Sequence, residues 1–493
     1  MLTHRLATAN PMTCKFFYLL LAAASLGIPE LSKAAVAQVS TDTLSISPAA
    51  SSAAVPTAIE PAATSNTDVE QQSNQFTITG GQLSDGSAPN LIHQFQQFDL
   101  GANDTANFVT SPDVANVISL INSLQPSAID GLLEITSSNP NLASSANLFL
   151  VNPAGIIFGE NVSLNLPADL TATTASALLF ENTYLLSVDG AISEVALSSR
   201  NTTAADSLAL SDLTGPPTGY LLLSIPDGTI NGTNLPAGSI DNQGTLQVEP
   251  QANINLIAQY VQNDGELLAP GGTANLIAAA GDNLLQLSQP GNVLTLDVIP
   301  ANTLEILSSA PGQSAIAALP SGDLPQLLTG GDEQNATQIK TDPDGSQSLT
   351  GSSLRPAPGT VLVRGTIDVS DDSPVTKPNT PGQVNILGHQ INIIGGDIRA
   401  DGIEQGGTVS IGGMPVLDNF RAAYVVVGRT ASISSDASKG PGGTVQIWAD
   451  DTVQFYGSAT AAGADPTLDG SVIIDAGEQV DIRKYKSSAS GTN

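Results

Sequence analysis

The 493-residue sequence predicts an all-β fold, a right-handed parallel β-helix in which short strands stack in successive coils. Charged residues make up only 12% of the chain and aromatic residues 4%, whereas there are 46 glycines, which favours strands and turns over helices. From Gly238 onwards the sequence repeats with a period in the twenties, which indicates a solenoid. Within the repeats, apolar and polar residues alternate, as they do in strands with one buried face.

The repeats are clearest in two neighbouring copies. "IDNQGTLQV" starts at Ile240 and "VQNDGELLA" at Val261, so that Asn242 lies 21 residues before Asn263. Further along, Gly-x-Val units recur at spacings of 25, 36 and 27 residues, starting at Gly382, Gly407, Gly443 and Gly470. A leucine-rich repeat is the alternative solenoid, but it needs a leucine ladder and a helical half that this sequence lacks. About fifteen coils at ~4.8 Å each predict a rod of roughly 70 Å.

The N-terminus has the features of a secretory signal peptide. A basic start precedes an apolar run at residues 16–28, and the small residues of "AVAQ" predict cleavage between Ala37 and Gln38. A retained N-terminal anchor is the alternative. Residues 38–75 are rich in Ser, Ala, Thr and Pro and contain no aromatic residue. They predict a disordered linker, because such a segment cannot bury enough apolar surface to order itself.

Charge and cysteine content exclude several functions. The net charge is −31, and no Lys or Arg occurs from Gln38 to Ser199, so binding to nucleic acid or to an anionic membrane is not expected. The one cysteine, Cys14, precedes the apolar run of the signal peptide. The exported chain therefore has neither disulfides nor a thiolate metal site. His93 and His389 lack metal-ligand spacing, and we expect no metal and no cofactor.

An Asn-Pro turn interrupts two apolar runs in "ANLFLVNPAGIIFG", residues 146–159. Asn152 can accept a backbone N–H bond, Pro153 presets φ, and Gly155 suits the fourth position of a type I turn. A hairpin would favour Asn-Gly or Gly-x in a two-residue loop. We therefore predict a corner between two strands of one coil.

The same stretch resembles a signature of the two-partner-secretion domain of the filamentous haemagglutinin family, whose pattern is Asn-Pro-Asn-Gly-Ile. The five corresponding positions are Asn152, Pro153, Ala154, Gly155 and Ile156. Four of them match the pattern, and Ala154 replaces the usual Asn.

Upstream, "FTITGGQLSDGSAPNLIHQFQQFDL" (76–100) resembles the opening of that domain, and Asn90, His93 and Phe95 are possible partner-facing residues. The later repeats are similar to the cyanobacterial branch. "NPNL" at Asn139–Leu142 spells another family signature, but it lies too close to Asn152 and is interpreted as a coincidental loop.

The resemblance implies a secreted or cell-surface exoprotein that reaches the periplasm through the general export machinery. Periplasmic recognition domains of a partner outer-membrane barrel would bind its N-terminal domain, and the chain would fold outside the cell. An adhesin-like or structural role with a cell-surface or polysaccharide receptor is expected. The predicted segments are a signal peptide (1–37), a linker (38–75), the two-partner-secretion domain (76–200), coils (201–301), an excursion from the rod (302–360), further coils (361–483) and a disordered tail (484–493).

The alternative function is a secreted β-helix polysaccharide lyase or hydrolase, which needs carboxylates that converge in one groove. Each candidate lies in a loop phrase where Asp is a common turn residue, so we predict no enzymatic activity and no catalytic residues. "DPDG" at 342–345 lacks the remaining ligands of a calcium loop, and Trp448 is expected in the core or a ladder. The candidates are Asp371, Asp372, Arg399, Asp401, Asp450 and Asp451.

Overall fold

The computed structural model describes residues 55–482, apart from 64, 85–88, 124, 181–182, 187–193, 197–212, 214, 224–237, 282, 290–291, 301–338, 342–346, 350–357, 372–380 and 414–420. The predicted signal peptide, the cleavage site and the C-terminal tail lie outside these residues, as does "DPDG". None of the described residues forms a helix with the length and apolar character that a membrane span requires.

The described residues up to 173 form thirteen strands. They are β1 (Ala58–Pro61), β2 (Thr67–Gln72), β3 (Gln75–Gly80), β4 (Gln82–Leu83), β5 (Asn90–Asp99), β6 (Thr105–Thr110), β7 (Asn116–Ile121), β8 (Ser127–Ile129), β9 (Leu132–Ser137), β10 (Asn147–Val151), β11 (Ile156–Phe158), β12 (Ser163–Asn165) and β13 (Leu170–Thr173).

The middle of the chain, from residue 177 to 349, continues with fourteen strands in the described segments. They are β14 (Ala177–Phe180), β15 (Thr183–Leu186), β16 (Glu194–Ala196), β17 (Gly219–Leu222), β18 (Ser239–Asn242), β19 (Thr245–Gln247), β20 (Ile254–Ala258), β21 (Tyr260–Asn263), β22 (Glu266–Leu268), β23 (Thr273–Ala278), β24 (Asn283–Gln289), β25 (Asn292–Pro300), β26 (Ile339–Thr341) and β27 (Gln347–Leu349).

The described residues of the last part form thirteen strands and one 3₁₀ turn at Pro466–Leu468. The strands are β28 (Thr360–Val363), β29 (Thr366–Asp368), β30 (Gln383–Gly388), β31 (Gln390–Ile393), β32 (Asp397–Arg399), β33 (Thr408–Ile411), β34 (Tyr424–Val427), β35 (Ser432–Ser434), β36 (Thr444–Ala449), β37 (Thr452–Phe455), β38 (Ser458–Thr460), β39 (Ser471–Ala476) and β40 (Gln479–Ile482).

The strands form a parallel β-helix whose coils visit three faces in turn. Sheet A contains ten parallel strands, β5, β7, β10, β13, β20, β23, β30, β33, β36 and β39. Sheet B contains β8, β11, β18, β21, β28, β31, β34, β37 and β40. Sheet C has an N-terminal part with β2, β3, β6, β9 and β12, and a C-terminal part with β19, β22, β29, β32, β35 and β38. The predicted parallel β-helix is confirmed.

The repeats stack as the sequence indicates. Ile240 pairs with Val261 in adjacent strands of sheet B, and Asn242 Nδ2 donates to Asn263 Oδ1 at 2.7 Å. At the following corner, a Cβ on Gly265 would clash with the backbone of Gly244 in the neighbouring coil, so only glycine permits this approach. The valines of all four Gly-x-Val units likewise pair in register, as Val384, Val409, Val445 and Val472.

Part of the chain leaves the coils and forms an antiparallel sheet, here called the cover sheet. Its order is β16-β15-β14-β17-β24-β25. The cover sheet packs on the outer face of sheet A, where Leu178, Tyr220 and Leu285 join one buried cluster with Ile118 and Phe149. Apolar side chains on both faces of sheet A explain this second layer, because an exposed apolar face must be covered.

Three predictions about chain organisation are wrong. The linker was expected to extend to residue 75, but β1 pairs antiparallel with β5, and β2 with β3, so tertiary pairing orders a segment of weak propensity. Residues 201–301 were expected to form coils only, but β17, β24 and β25 belong to the cover sheet. The described part of sheet A has ten parallel strands instead of about fifteen, which gives ~43 Å at 4.8 Å per step.

Candidate secretion-signature corner

The Asn-Pro turn joins two faces of one coil. β10 ends at Val151 in sheet A, between the parallel strands β7 and β13. β11 starts at Ile156 in sheet B, between the parallel strands β8 and β18. The two strands do not pair with each other, so the predicted corner is confirmed and the hairpin is excluded.

Asn152 is the buried centre of this corner. Its side chain has no solvent exposure, and its Oδ1 accepts a hydrogen bond from Ala154 N at 3.0 Å. Its Nδ2 donates to Ser127 Oγ at 3.0 Å and to Gln125 O at 3.2 Å in the preceding coil. The backbone N–H of Gly155 donates to Asn152 O at 3.0 Å, as a type I turn requires. Asn152 therefore holds its own turn and also ties two coils together.

The coils on either side leave little space around the corner. Gly155 has φ +136°, and a Cβ there would lie 3.1 Å from Ser239 O and 3.3 Å from Pro126 Cβ. Ala154 is only 2% exposed. Pro153 is the one partly exposed residue among these positions. The replacement of the family's Asn by Ala154 thus falls at a buried position of the folded corner.

Asn90, His93 and Phe95 were predicted to face a partner, and in the folded protein this is wrong because all three are fully buried. Asn90 Nδ2 donates to Leu213 O at 3.0 Å and to Gly215 O at 2.9 Å. These bonds anchor residues that precede β17 of the cover sheet. Its Oδ1 accepts from Asn116 Nδ2 at 2.7 Å, the first step of an asparagine ladder along sheet A. The sequence signal for this role was the recurrence of Asn at the start of β5, β7 and β10.

Phe95 belongs to an aromatic group in the interior of the first coils. Its ring lies 5.1 Å from Phe98 and 6.5 Å from Phe108, both at steep angles, and Phe98 stacks on Phe108 at 6.1 Å. His93 lies against the same group, and burial lowers the pKa of His93 from 6.5 to about 4. These residues act in packing within the folded domain.

The carboxylate candidates for a lyase lie on two different corners of the coil. Asp371 and Asp401 follow strands of sheet C, where the chain turns towards sheet A, whereas Asp450 and Asp451 lie between β36 of sheet A and β37 of sheet B. Asp372 lies outside the described residues, and His389 is an exposed residue between β30 and β31.

Two of these carboxylates, Asp401 and Asp450, accept hydrogen bonds from structural partners. Asp401 Oδ1 accepts from Asp436 N at 2.7 Å and its Oδ2 from Ser434 Oγ at 2.9 Å, while burial raises its pKa. Asp450 Oδ1 accepts from Arg421 Nε at 2.8 Å and from Trp448 Nε1 at 3.3 Å. Burial acts to raise the pKa of Asp450, but these hydrogen bonds outweigh it and lower the pKa. Within the described segments, no group of three His, Cys, Asp or Glu side chains could hold a metal ion.

Comparisons with known proteins relate the chain to one family. The TPS secretion domain family model matches residues 57–318, which is more than half of the chain. The HMW1 secretion domain from Haemophilus influenzae has a similar structure, with 14% identity, a TM-score of 0.41 and coverage of 88% of this chain and 99% of that chain. The filamentous hemagglutinin secretion domain gives 13% identity, a TM-score of 0.33 and coverage of 87% and 99%. No curated protein sequence matches the chain.

The geometry defines a class of protein, a parallel β-helix in which a second sheet packs on sheet A. Carboxylates such as Asp401 and Asp450 accept hydrogen bonds at its corners. The family match then defines its type: the chain belongs to the TPS secretion domain family and is a two-partner-secretion exoprotein. Such a protein depends on a cognate outer-membrane transporter, and it is secreted or held at the cell surface. The family match starts at residue 57 and ends at 318, whereas the sequence assigned this domain to 76–200.

Proposed function

We propose that the chain is exported through the periplasm after cleavage between Ala37 and Gln38, and that periplasmic domains of its partner barrel bind the unfolded secretion signature. The β-helix then folds outside the cell and serves as an adhesin-like or structural rod for a cell-surface or polysaccharide receptor. The observation that supports this order of events is the burial of Asn152 and Ile156, both with no exposed surface. A partner can contact these side chains only before the corner closes.

The burial of the signature gives it two separate roles. In the unfolded chain, Asn152 and its neighbours are accessible to a partner that pairs with extended backbone. In the folded protein, the side chain and backbone of Asn152 take part in five hydrogen bonds, and the side chain is inaccessible to a partner. "NPNL" at 139–142 differs, because Asn141 and Leu142 are exposed in the loop between β9 and β10. We assign this exposed loop no role in partner recognition.

The proposal also holds that the rod is not an enzyme. Asp401 and Asp450 lie on separate corners, and each accepts a hydrogen bond from a residue of an adjacent coil. Such bonds stabilise a stacked solenoid, whereas a catalytic groove needs carboxylates that converge. The absence of a convergent set concerns the described segments alone. The lyase alternative gains no specific support from the contacts around Asp401 or Asp450.

The test separates recognition from folding by comparing two buried asparagines. Asn152→Ala and Asn263→Ala each remove a fully buried asparagine that links adjacent coils, but only the first lies in the signature. Each should destabilise the folded protein by about 1–3 kcal/mol, because buried partners lose a hydrogen bond. Secretion is measured as protein in the medium, with the cognate barrel co-expressed, and stability as urea unfolding of the purified variants.

We expect Asn152→Ala to be retained or degraded in the periplasm while Asn263→Ala is secreted close to the wild-type level. N-terminal sequencing of secreted material should start at Gln38. Equal secretion of the two variants at equal stability would show that the corner is only a structural turn.

A further inference from the structure

His93 is a buried histidine in the first coil of the domain. Its side chain has no solvent exposure, and neither Nδ1 nor Nε2 has a hydrogen-bond partner among the described residues. Most buried polar groups in proteins are hydrogen-bonded, so a histidine without a partner at both nitrogens is unusual. An imidazole in such a place is tolerated as the neutral ring, whereas the charged ring would lose its hydration without compensation.

The surroundings of the ring are apolar and tightly closed. The ring centroid lies 6.3 Å from that of Phe95 and 5.7 Å from that of Phe108. Ser119 pairs with His93 in the next strand of sheet A, and its buried Oγ also has no partner among the described residues. Gly81, with φ +83°, closes the other side, since a Cβ there would lie 3.0 Å from His93 Cε1. The imidazolium would carry two N–H donors, and neither ring nitrogen has a hydrogen-bond partner among the described residues.

Among the described residues, no charged group compensates a proton on this ring. Asp85, between β4 and β5, lies outside the described residues. Of the strands that contact β5 or the His93 ring, β4, β6, β7 and β8 contain no ionisable side chain. The ionisable residues of the neighbouring strands are Glu60 in β1 and Asp68 and Glu70 in β2, all three exposed, and Asp99 at the end of β5. Burial is the sole cause that lowers the pKa of His93 to about 4.

We propose that folding of the first coils is coupled to loss of the His93 imidazole proton, so that these coils open locally more often in mildly acidic surroundings than in neutral ones. The direction follows from linkage. Between pH 6.5 and about 4 the unfolded chain binds one more proton than the folded chain, so the folded state loses stability as the pH falls. One extra proton changes the local unfolding equilibrium by up to about tenfold per pH unit.

The inference bears on export, and in that part it rests on the proposed function. If the chain crosses the periplasm unfolded, acidic surroundings would delay closure of the first coils and neutral surroundings would release it. The proton-dependent folding itself is a property of the purified protein. Its test uses no partner barrel, so its outcome is independent of whether the signature is read by a partner.

The experiment measures amide hydrogen exchange in β5 and β7 of the purified protein from pH 7.5 to 4.5. The protection factor corrects for the intrinsic effect of pH on exchange. Below pH 6.5 we expect the protection factor of these amides to fall by up to about tenfold per pH unit in the wild type. In His93→Gln, which keeps every carboxylate, the fall should be much shallower. The fluorescence of Trp448, in β36, reports whether the distant coils remain folded.

A matched control is His389→Gln, which removes the exposed histidine from the later coils and should keep the wild-type slope. An identical slope in wild type and His93→Gln would overturn the proposal. If His93→Gln does not fold, nuclear magnetic resonance of the wild-type imidazole decides the matter. We expect the His93 ring signals to stay at their neutral positions down to pH 5 while the protein is folded. A titration of these signals near pH 6.5 in the folded protein would equally refute the idea.

Discussion

The first coils and the last coils follow the same path through sheets A, B and C but are stabilised differently. In the first coils, five buried phenylalanines fill the interior, and the cover sheet buries the outer face of sheet A. In the last coils, from Thr360 to Ile482, the interior consists of valine, isoleucine and alanine with Phe455 as the one buried phenylalanine in the described residues. The five phenylalanines are Phe76, Phe95, Phe98, Phe108 and Phe158.

The difference shows two ways to stabilise a solenoid. The last coils repeat the same small residues at the same positions, so each coil depends chiefly on its two neighbours. The first coils combine large rings of irregular arrangement with a second layer of packing, although one interior cluster runs through both regions. Damage should therefore spread through the first coils and stay local in the last ones.

The largest expected effect comes from the aromatic interior. Phe108→Ala removes a fully buried ring that contacts Phe95, Phe98 and His93, and it should destabilise the protein by about 3–5 kcal/mol. Ile411→Val, in the valine-isoleucine ladder of β33, should cost only about 0.5–1.5 kcal/mol. Urea unfolding followed by circular dichroism measures both. Costs of similar size would mean that the two regions are not stabilised differently after all.

The same contrast explains what the sequence could predict. The Gly-x-Val units and the Asn242 and Asn263 pair are visible in the sequence because stacked coils place like residues in register. The Asn152 corner was predictable from local turn chemistry. The sequence contains no comparable signal for the cover sheet, because β14 and β17 pair with strands far along the chain and do not repeat.

The buried state of His93 and Asn90 was missed for a related reason. Strand periodicity shows that residues alternate between two faces, but in the first coil both faces are buried, one by the interior and one by the cover sheet. Polar residues on such a strand therefore look exposed in the sequence. The strands β1 and β2 were missed because their order comes from pairing with β5 and β3, not from their own composition.

An intermediate effect is expected where the two regions meet. Asn275 in β23 donates to Asn255 Oδ1 at 2.6 Å on the N-terminal side and accepts from Asn385 Nδ2 at 2.8 Å on the C-terminal side. Asn275→Ala would leave both neighbours without this partner, so we expect a loss of about 1–3 kcal/mol.

If the coils depend on their neighbours, hydrogen exchange in β20 and β30 should accelerate more than exchange in β7 or β36. An even acceleration along the whole of sheet A would show that the rod unfolds as a single unit. Asn74→Ala is a suitable control, because its Nδ2 donates to Asn103 O at an exposed site in the first coils.

The smallest effect is expected at the exposed charges of the last coils. Arg399 has a half-exposed side chain that pairs with Asp397 and lies 3.9 Å from Asp368 in the neighbouring coil. Exposed ion pairs contribute typically below about 1 kcal/mol and weaken with salt, so Arg399→Gln should hardly shift the urea midpoint. The same variant removes the basic residue that a polysaccharide lyase in this region would need. Incubation of wild type and variant with acidic and neutral polysaccharides, with and without calcium, should give no turnover in either case. Turnover by the wild type that disappears in Arg399→Gln or in Asp401→Asn would show that the last coils are an enzyme. Asp401 would then have a catalytic role besides accepting the hydrogen bond from Asp436 N.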